Sequence, residues 1–179
     1  LTFGNDAIAR RHGSRPLSLV DGSELNEFVR TSDALVLSAI GVIEHLSDLK
    51  AFWKAFTQSR FEYLYFSVPM LSLSTVVEHA FSEVAPRHLQ GEHTHLFSES
   101  SLQHMYTKLG VQPVAEWRFG TDVLDLFRSL LHATVENESD VLRDDLLRRF
   151  APHIDDLQNV LDEAHYCSEI HVLAQRAKS

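Results

Sequence analysis

Three histidines and one glutamate carry most of the chemistry legible in the chain. Glu44-His45 follows one apolar run, and His93-Thr94-His95 lies well downstream of a second. An imidazole titrates near neutral pH, so His45, His93 and His95 are the general-base candidates. Glu44 suits the orienting of a neighbour. His93-x-His95 beside Glu92 is also the corner of a metal site, with Glu44 or His45 as a third ligand. The chain lacks H-E-x-x-H and has a single cysteine, so no metal is expected. That cysteine, Cys167, opens a predicted buried strand, where a thiol is inert. Ser38 and Ser67 lack the G-x-S-x-G setting of a hydrolase nucleophile.

Two strands and a helix must place these groups. Ala34 to Ala39 is an apolar run that reads as a fully buried parallel strand. It ends in Ser38, Ala39, Ile40 and Gly41, a turn with small side chains at the carboxyl end, where an open α/β sheet meets its ligand. FEYLYFSV, Phe61 to Val68, is a second strand stopped by Pro69. Between them Leu46, Leu49, Phe52, Trp53 and Phe56 share one helical face, with Ser47 or Asp48 as cap. The unit is strand–helix–strand, parallel and right-handed by default.

The rest of the chain continues the alternation. LTFGND opens it and AIARRHG is a short helix candidate. Pro16 to Val20 is a strand ending at Asp21-Gly22. Ser23 caps a helix reaching Arg30, and a further helix is predicted from about Thr75 to Val84. Ser98 caps a helix with Leu102, Met105, Tyr106 and Leu109 on one face, stopped by Gly110. Val111 to Phe119 is a strand. Helices then fill about 121–164, and Cys167 to Gln175 is the last strand.

These residues resemble the class I S-adenosylmethionine-dependent methyltransferases. Asp33, the apolar run and Glu44-His45-Leu46 match that family's fourth strand and its E-H-L turn. Ser67-Val68-Pro69 matches the end of the fifth strand. His95-Leu96-Phe97-Ser98, an amphipathic helix and Gly110 match the approach to the sixth. The resemblance implies a three-layer α/β sandwich with a mostly parallel Rossmann-like sheet, whose antiparallel last strand slots between the fifth and sixth. It implies S-adenosylmethionine as cofactor. Asp6 would take the ribose-binding place, Asp21 the adenine side, and Ser38, Ala39, Ile40 and Gly41 the turn beneath the cofactor. His93, His95 and His45 would face a small-molecule acceptor, a sugar or lipid-linked intermediate by fold-level analogy.

Two departures stand out. The family's E/D-x-G-x-G-x-G loop does not occur among the seven glycines. The first strand and that loop are therefore expected before Leu1, and the chain alone is expected to bind the cofactor poorly. The stretch 121–164 is an insertion, read either as a cap over the site or as a homodimerisation element. A catalytically inactive scaffold of the same fold is the rival reading.

Composition sets the remaining bounds. The 179 residues fit one domain of roughly usual size, 1–179. A net charge of −9 argues against nucleic acid, whose phosphates need Lys and Arg. No apolar stretch approaches the ~20 residues of a membrane span. With one cysteine no internal disulfide forms, which makes a reducing, cytoplasmic setting the default. An all-helical bundle, or an exposed edge position for Ala34 to Ala39, would overturn the fold.

Overall fold

The computed structural model of the protein describes residues 21–84, 86–89 and 93–177. In chain order these form α1 (Leu25–Thr31), β1 (Val36–Ala39), α2 (Leu49–Gln58), β2 (Tyr63–Pro69), α3 (Leu73–Ala80), α4 (Glu99–Leu109) and β3 (Val111–Phe119). Then come α5 (Asp122–Glu136), α6 (Asp140–Asp145), α7 (Ile154–Glu163) and β4 (Glu169–Arg176). A short 3-10 turn, Ile43–His45, follows β1.

The described sheet has the order β1-β2-β4-β3. β1 and β2 are parallel, in register Val36 to Tyr63 through Ala39 to Phe66. β4 is antiparallel to both β2 and β3, so the last strand lies between its two predecessors as expected. Alternation along β2 and β4 sends Leu64, Phe66 and Val68 to the same buried face as Ala174, Val172 and Ile170. Helices α2 and α4 cover that face with Phe52, Phe56, Leu102, Met105 and Leu109. β3 carries Pro113 at an irregularity between Pro113 and Ala115, on a strand paired only with β4 among the described residues.

Local sequence explains the helix ends. The Asp48 carboxylate accepts from the Ala51 N–H at 2.9 Å and caps α2. Arg176, from β4, donates to the Phe56 carbonyl at 2.8 Å and stacks over the Phe56 ring at 4.8 Å, closing the far end of α2. Ser98 caps α4, and Gly110, at φ +62°, ends it in the left-handed conformation that glycine adopts without strain.

One expectation fails. β1 is not fully buried: Leu35 is 60% and Val36 51% exposed, and only Ala39 is buried at 3%. Among the described residues the strand pairs with β2 alone and takes the edge of their sheet, the placement expected to overturn the fold, yet the order β1-β2-β4-β3 with the last strand inside is the expected one. An apolar run marks a strand buried on both faces only when something covers both, and pattern cannot supply the cover. The helix predicted from Thr75 begins earlier, at Leu73, because Ser72 and Thr75 form a capping box.

Candidate active site

The site grows from the turn after β1. Gly41 has φ +61°, and its N–H donates to the Ser67 hydroxyl on β2 at 3.1 Å. This fold-back lets Ile43 and Glu44 turn inward, both buried, immediately beyond the strand. A β-carbon at Gly41 would stand 3.8 Å from Glu44 Oε1, so the small-residue turn and the carboxylate are neighbours.

The segment from His93 to Phe97 lies across this turn. The N–H groups of Thr94 and His95 donate to the Glu44 carbonyl at 2.8 and 3.2 Å. The Thr94 hydroxyl donates to the same carbonyl at 2.8 Å. At its other end the Phe97 N–H donates to Pro69, and Leu71 to Phe97, in a bridge beside the end of β2. His93 meets Glu44 and His45, while His95 lies between α2 and α4, its ring hydrogen-bonded to the Thr94 hydroxyl at 2.7 Å.

Glu44, His45 and His93 form a tight cluster. His45 Nε2 lies 3.9 Å from Glu44 Oε1, and the His45 and His93 rings meet edge to face at 4.8 Å. One ligand atom from each lies within 4.8 Å of the others. Glu44 Oε2 and His93 Nδ1 are buried without a hydrogen-bond partner. Buried polar atoms left unpaired cost stability, and a site awaiting a ligand is a common reason for them. The arrangement can hold a carboxylate-oriented imidazole base, and it has the spacing of three metal ligands.

A second layer stands behind His93. The buried carboxylate of Glu78, on α3, accepts the backbone N–H groups of Arg87, His88 and Leu89 at 2.9, 2.6 and 3.0 Å. This fixes His88, whose ring lies 6.2 Å from that of His93. Burial, with the Arg87 guanidinium beside it, pushes the His88 imidazole down to about 4. The neutral ring matches its geometry: His88 Nε2 accepts from the Arg87 side chain at 2.8 to 3.0 Å.

Helices α5 and α7 are tied to the same region through Asp122. It accepts the N–H groups of Ser74 and Ser168 at 2.8 and 2.9 Å and the Gln158 amide at 3.3 Å. Burial alone would raise this carboxyl, but those hydrogen bonds outweigh it and hold the group below its ordinary value. Asp125 accepts from the Ser74 hydroxyl at 2.7 Å. Sequence reading missed Glu78, Arg87, His88 and Asp122. The local hints were that Glu78 and Asp122 fall on otherwise apolar helices and that Arg87 and His88 follow Pro86.

Of the residues expected at the site, the structure brings His45 and His93 together beside Ser38 to Gly41, and sets His95 apart. Ser38, Ile40 and Gly41 are exposed and Ala39 is buried. Asp21 lies before α1, where its carboxylate accepts the N–H and hydroxyl of Ser23 at 2.8 and 2.7 Å. Asp6 lies outside the described residues.

No family model matches the chain, and no curated protein matches it. Solved structures do. A SAM-dependent methyltransferase from Archaeoglobus fulgidus superposes with TM-score 0.51 at 14% identity, over 97% of this chain and 73% of that one. A protein assigned as a sarcosine dimethylglycine methyltransferase, from Galdieria sulphuraria, gives 0.51 at 6%, over 97% and 64%. The (4+2)-cyclase SpnF gives 0.50 at 9%, over 97% and 61%. The chain thus spans about two thirds of the length of these neighbours.

Proposed function

We propose, for a chain whose fold is that of the class I S-adenosylmethionine-dependent methyltransferases, that it forms the acceptor-side part of an enzyme methylating a small molecule. The observation that carries this is the Glu44–His45–His93 cluster at the carboxyl end of β1, beside the Ser38 to Gly41 turn. In open α/β sheets that end is where ligands bind.

The small Ser38, Ala39 and Gly41 leave room for the adenosine side of the cofactor, and Asp21 is the acidic group assigned to it in this reading. The glycine loop that would hold the amino-acid end is not in this sequence. When bound, S-adenosylmethionine supplies a methyl group already activated on a sulfonium. What remains for the chain is alignment and proton removal. With the acceptor's nucleophilic atom aligned toward the cofactor's methyl, a ring nitrogen of His93 or His45 would take up the proton that atom loses. Glu44 orients His45 across 3.9 Å and offsets the positive charge that the imidazole gains.

Titrating the full-length protein with S-adenosylhomocysteine tests the reading. Saturable binding is expected, and its absence at millimolar ligand would defeat it. Because the same three side chains have the spacing of metal ligands, dialysis against a chelator separates two mechanisms. Activity is retained if the imidazoles act as bases and lost if they hold a metal.

The rival is an inactive scaffold that associates through the helices between β3 and β4. Val141, Leu142 and Val160 are 82, 59 and 60% exposed there. That reading predicts a homodimer in sedimentation that Val141→Asp converts to monomer, with no binding of S-adenosylhomocysteine.

A further inference from the structure

The outer surface between α2 and α4 opens into a groove of about 600 Å³. Its floor is apolar, made by Leu49, Trp53, Leu96, Phe97 and Met105. Its rim carries Lys50, Lys54 and Lys108, and no acidic side chain lines it. The chain has 25 acidic residues and a net charge of −9, yet three of its four lysines stand on this one groove. Lys50 and Lys54 are one helical turn apart on α2, and Lys108 faces them from α4. Lysine stems extend an apolar wall while the ammonium groups stay in water. A local positive rim on an acidic protein focuses anions there and nowhere near it.

His95 lines the groove, and His93, two positions earlier in the sequence, belongs to the Glu44–His45 cluster. That adjacency in the chain sets one end of the groove toward the cluster.

We propose that the groove binds an apolar chain carrying a phosphate, and that this is the anchoring part of the methyl acceptor. The acceptor role rests on the methyltransferase reading; the binding does not. An apolar floor selects a hydrocarbon chain, and several ammonium groups suit a phosphate, which bears a charge of about −1.5 to −2 near neutral pH. A single carboxylate would leave most of that rim unpaired.

Dodecyl phosphate, below its micelle concentration, is the probe, titrated calorimetrically into the full-length protein. Saturable 1:1 binding in the micromolar range is expected, with dodecanol at least tenfold weaker and inorganic phosphate silent. The variant Lys50→Gln/Lys54→Gln/Lys108→Gln, changed only at exposed positions, is expected to lose at least tenfold for dodecyl phosphate. It should keep its unfolding midpoint and its affinity for S-adenosylhomocysteine. Equal affinity of variant and wild type, equal binding of dodecanol, or a response to inorganic phosphate alone would overturn the proposal. Failure of S-adenosylhomocysteine to bind either protein would instead remove the methyltransferase reading and leave the groove standing.

Discussion

His93 and His95 stand two residues apart but line different places, the Glu44–His45 cluster and the groove, so their substitutions separate two roles. His93→Ala is expected to slow methyl transfer by about 10²–10⁴, the usual contribution of a positioned general base. His95→Ala should leave the chemical step within a few-fold and raise the acceptor's KM, because its ring lines the groove. Single-turnover rates beside KM measure the split; equal losses in both variants would mean that the two rings share one task. The neutral His88 makes a second prediction. An unfolded histidine takes up its proton near 6.5, the folded one only near 4, from a ring facing Arg87, Glu78, His93 and Asp122. Above pH 6.5 both states are neutral and stability is unaffected. Between 6.5 and 4 only the unfolded chain gains the proton, so stability falls as pH falls, and levels off below 4. Urea unfolding of wild type and His88→Gln at pH 7 and pH 5 reads this: the wild type should lose more on acidification.

At the scale of elements, the chain's periodicity located most of what was built. Val111 to Phe119 has the bounds expected of it, and the α4 face of Leu102, Met105, Tyr106 and Leu109 is buried as its spacing requires. The edge exposure of β1 was illegible, because an apolar run records what a strand tolerates and not what covers it. The Asp122 junction was illegible for another reason. Its partners Ser74, Gln158 and Ser168 lie 48, 36 and 46 residues away, and no short motif spans such distances. The separate surroundings of His93 and His95 were illegible too, because residues two apart share a face of a strand and alternation would have put both rings in one place. The same junction fixes Gly120, where a β-carbon would collide with Asp122 Oδ2 and stand 2.8 Å from the Ser168 nitrogen. Gly120→Ala is therefore expected to cost about 1–3 kcal/mol, the usual penalty for overpacking. Denaturant midpoints measure it; a loss under half a kcal/mol would mean that the β3–α5 corner yields easily.

Across the whole molecule, the net charge of −9 contrasts with the lysine-rimmed groove between α2 and α4. That contrast predicts salt dependence. Raising ionic strength from low to about 0.15 M shortens the Debye length to about 8 Å and should weaken dodecyl phosphate binding while leaving dodecanol unaffected. A parallel weakening of both would place the phosphate away from the lysines.

The position of β4 also sets an order of events in synthesis. β2 and β3 do not touch as neighbours; each is paired through β4, which is the last strand made. Until Glu169 to Arg176 has left the ribosome, β3 has no partner among the described strands and β2 has only β1. Their apolar residues must wait, exposed, through the making of three helices. Late closure of distant pairings is slow and leaves strand edges open to other chains. A chain lacking 169–176 is thus expected to be captured by chaperones and rapidly cut by protease, although every catalytic candidate precedes that point. The C-terminal strand acts as a release step: the sheet becomes one object only when the last strand is threaded into its middle.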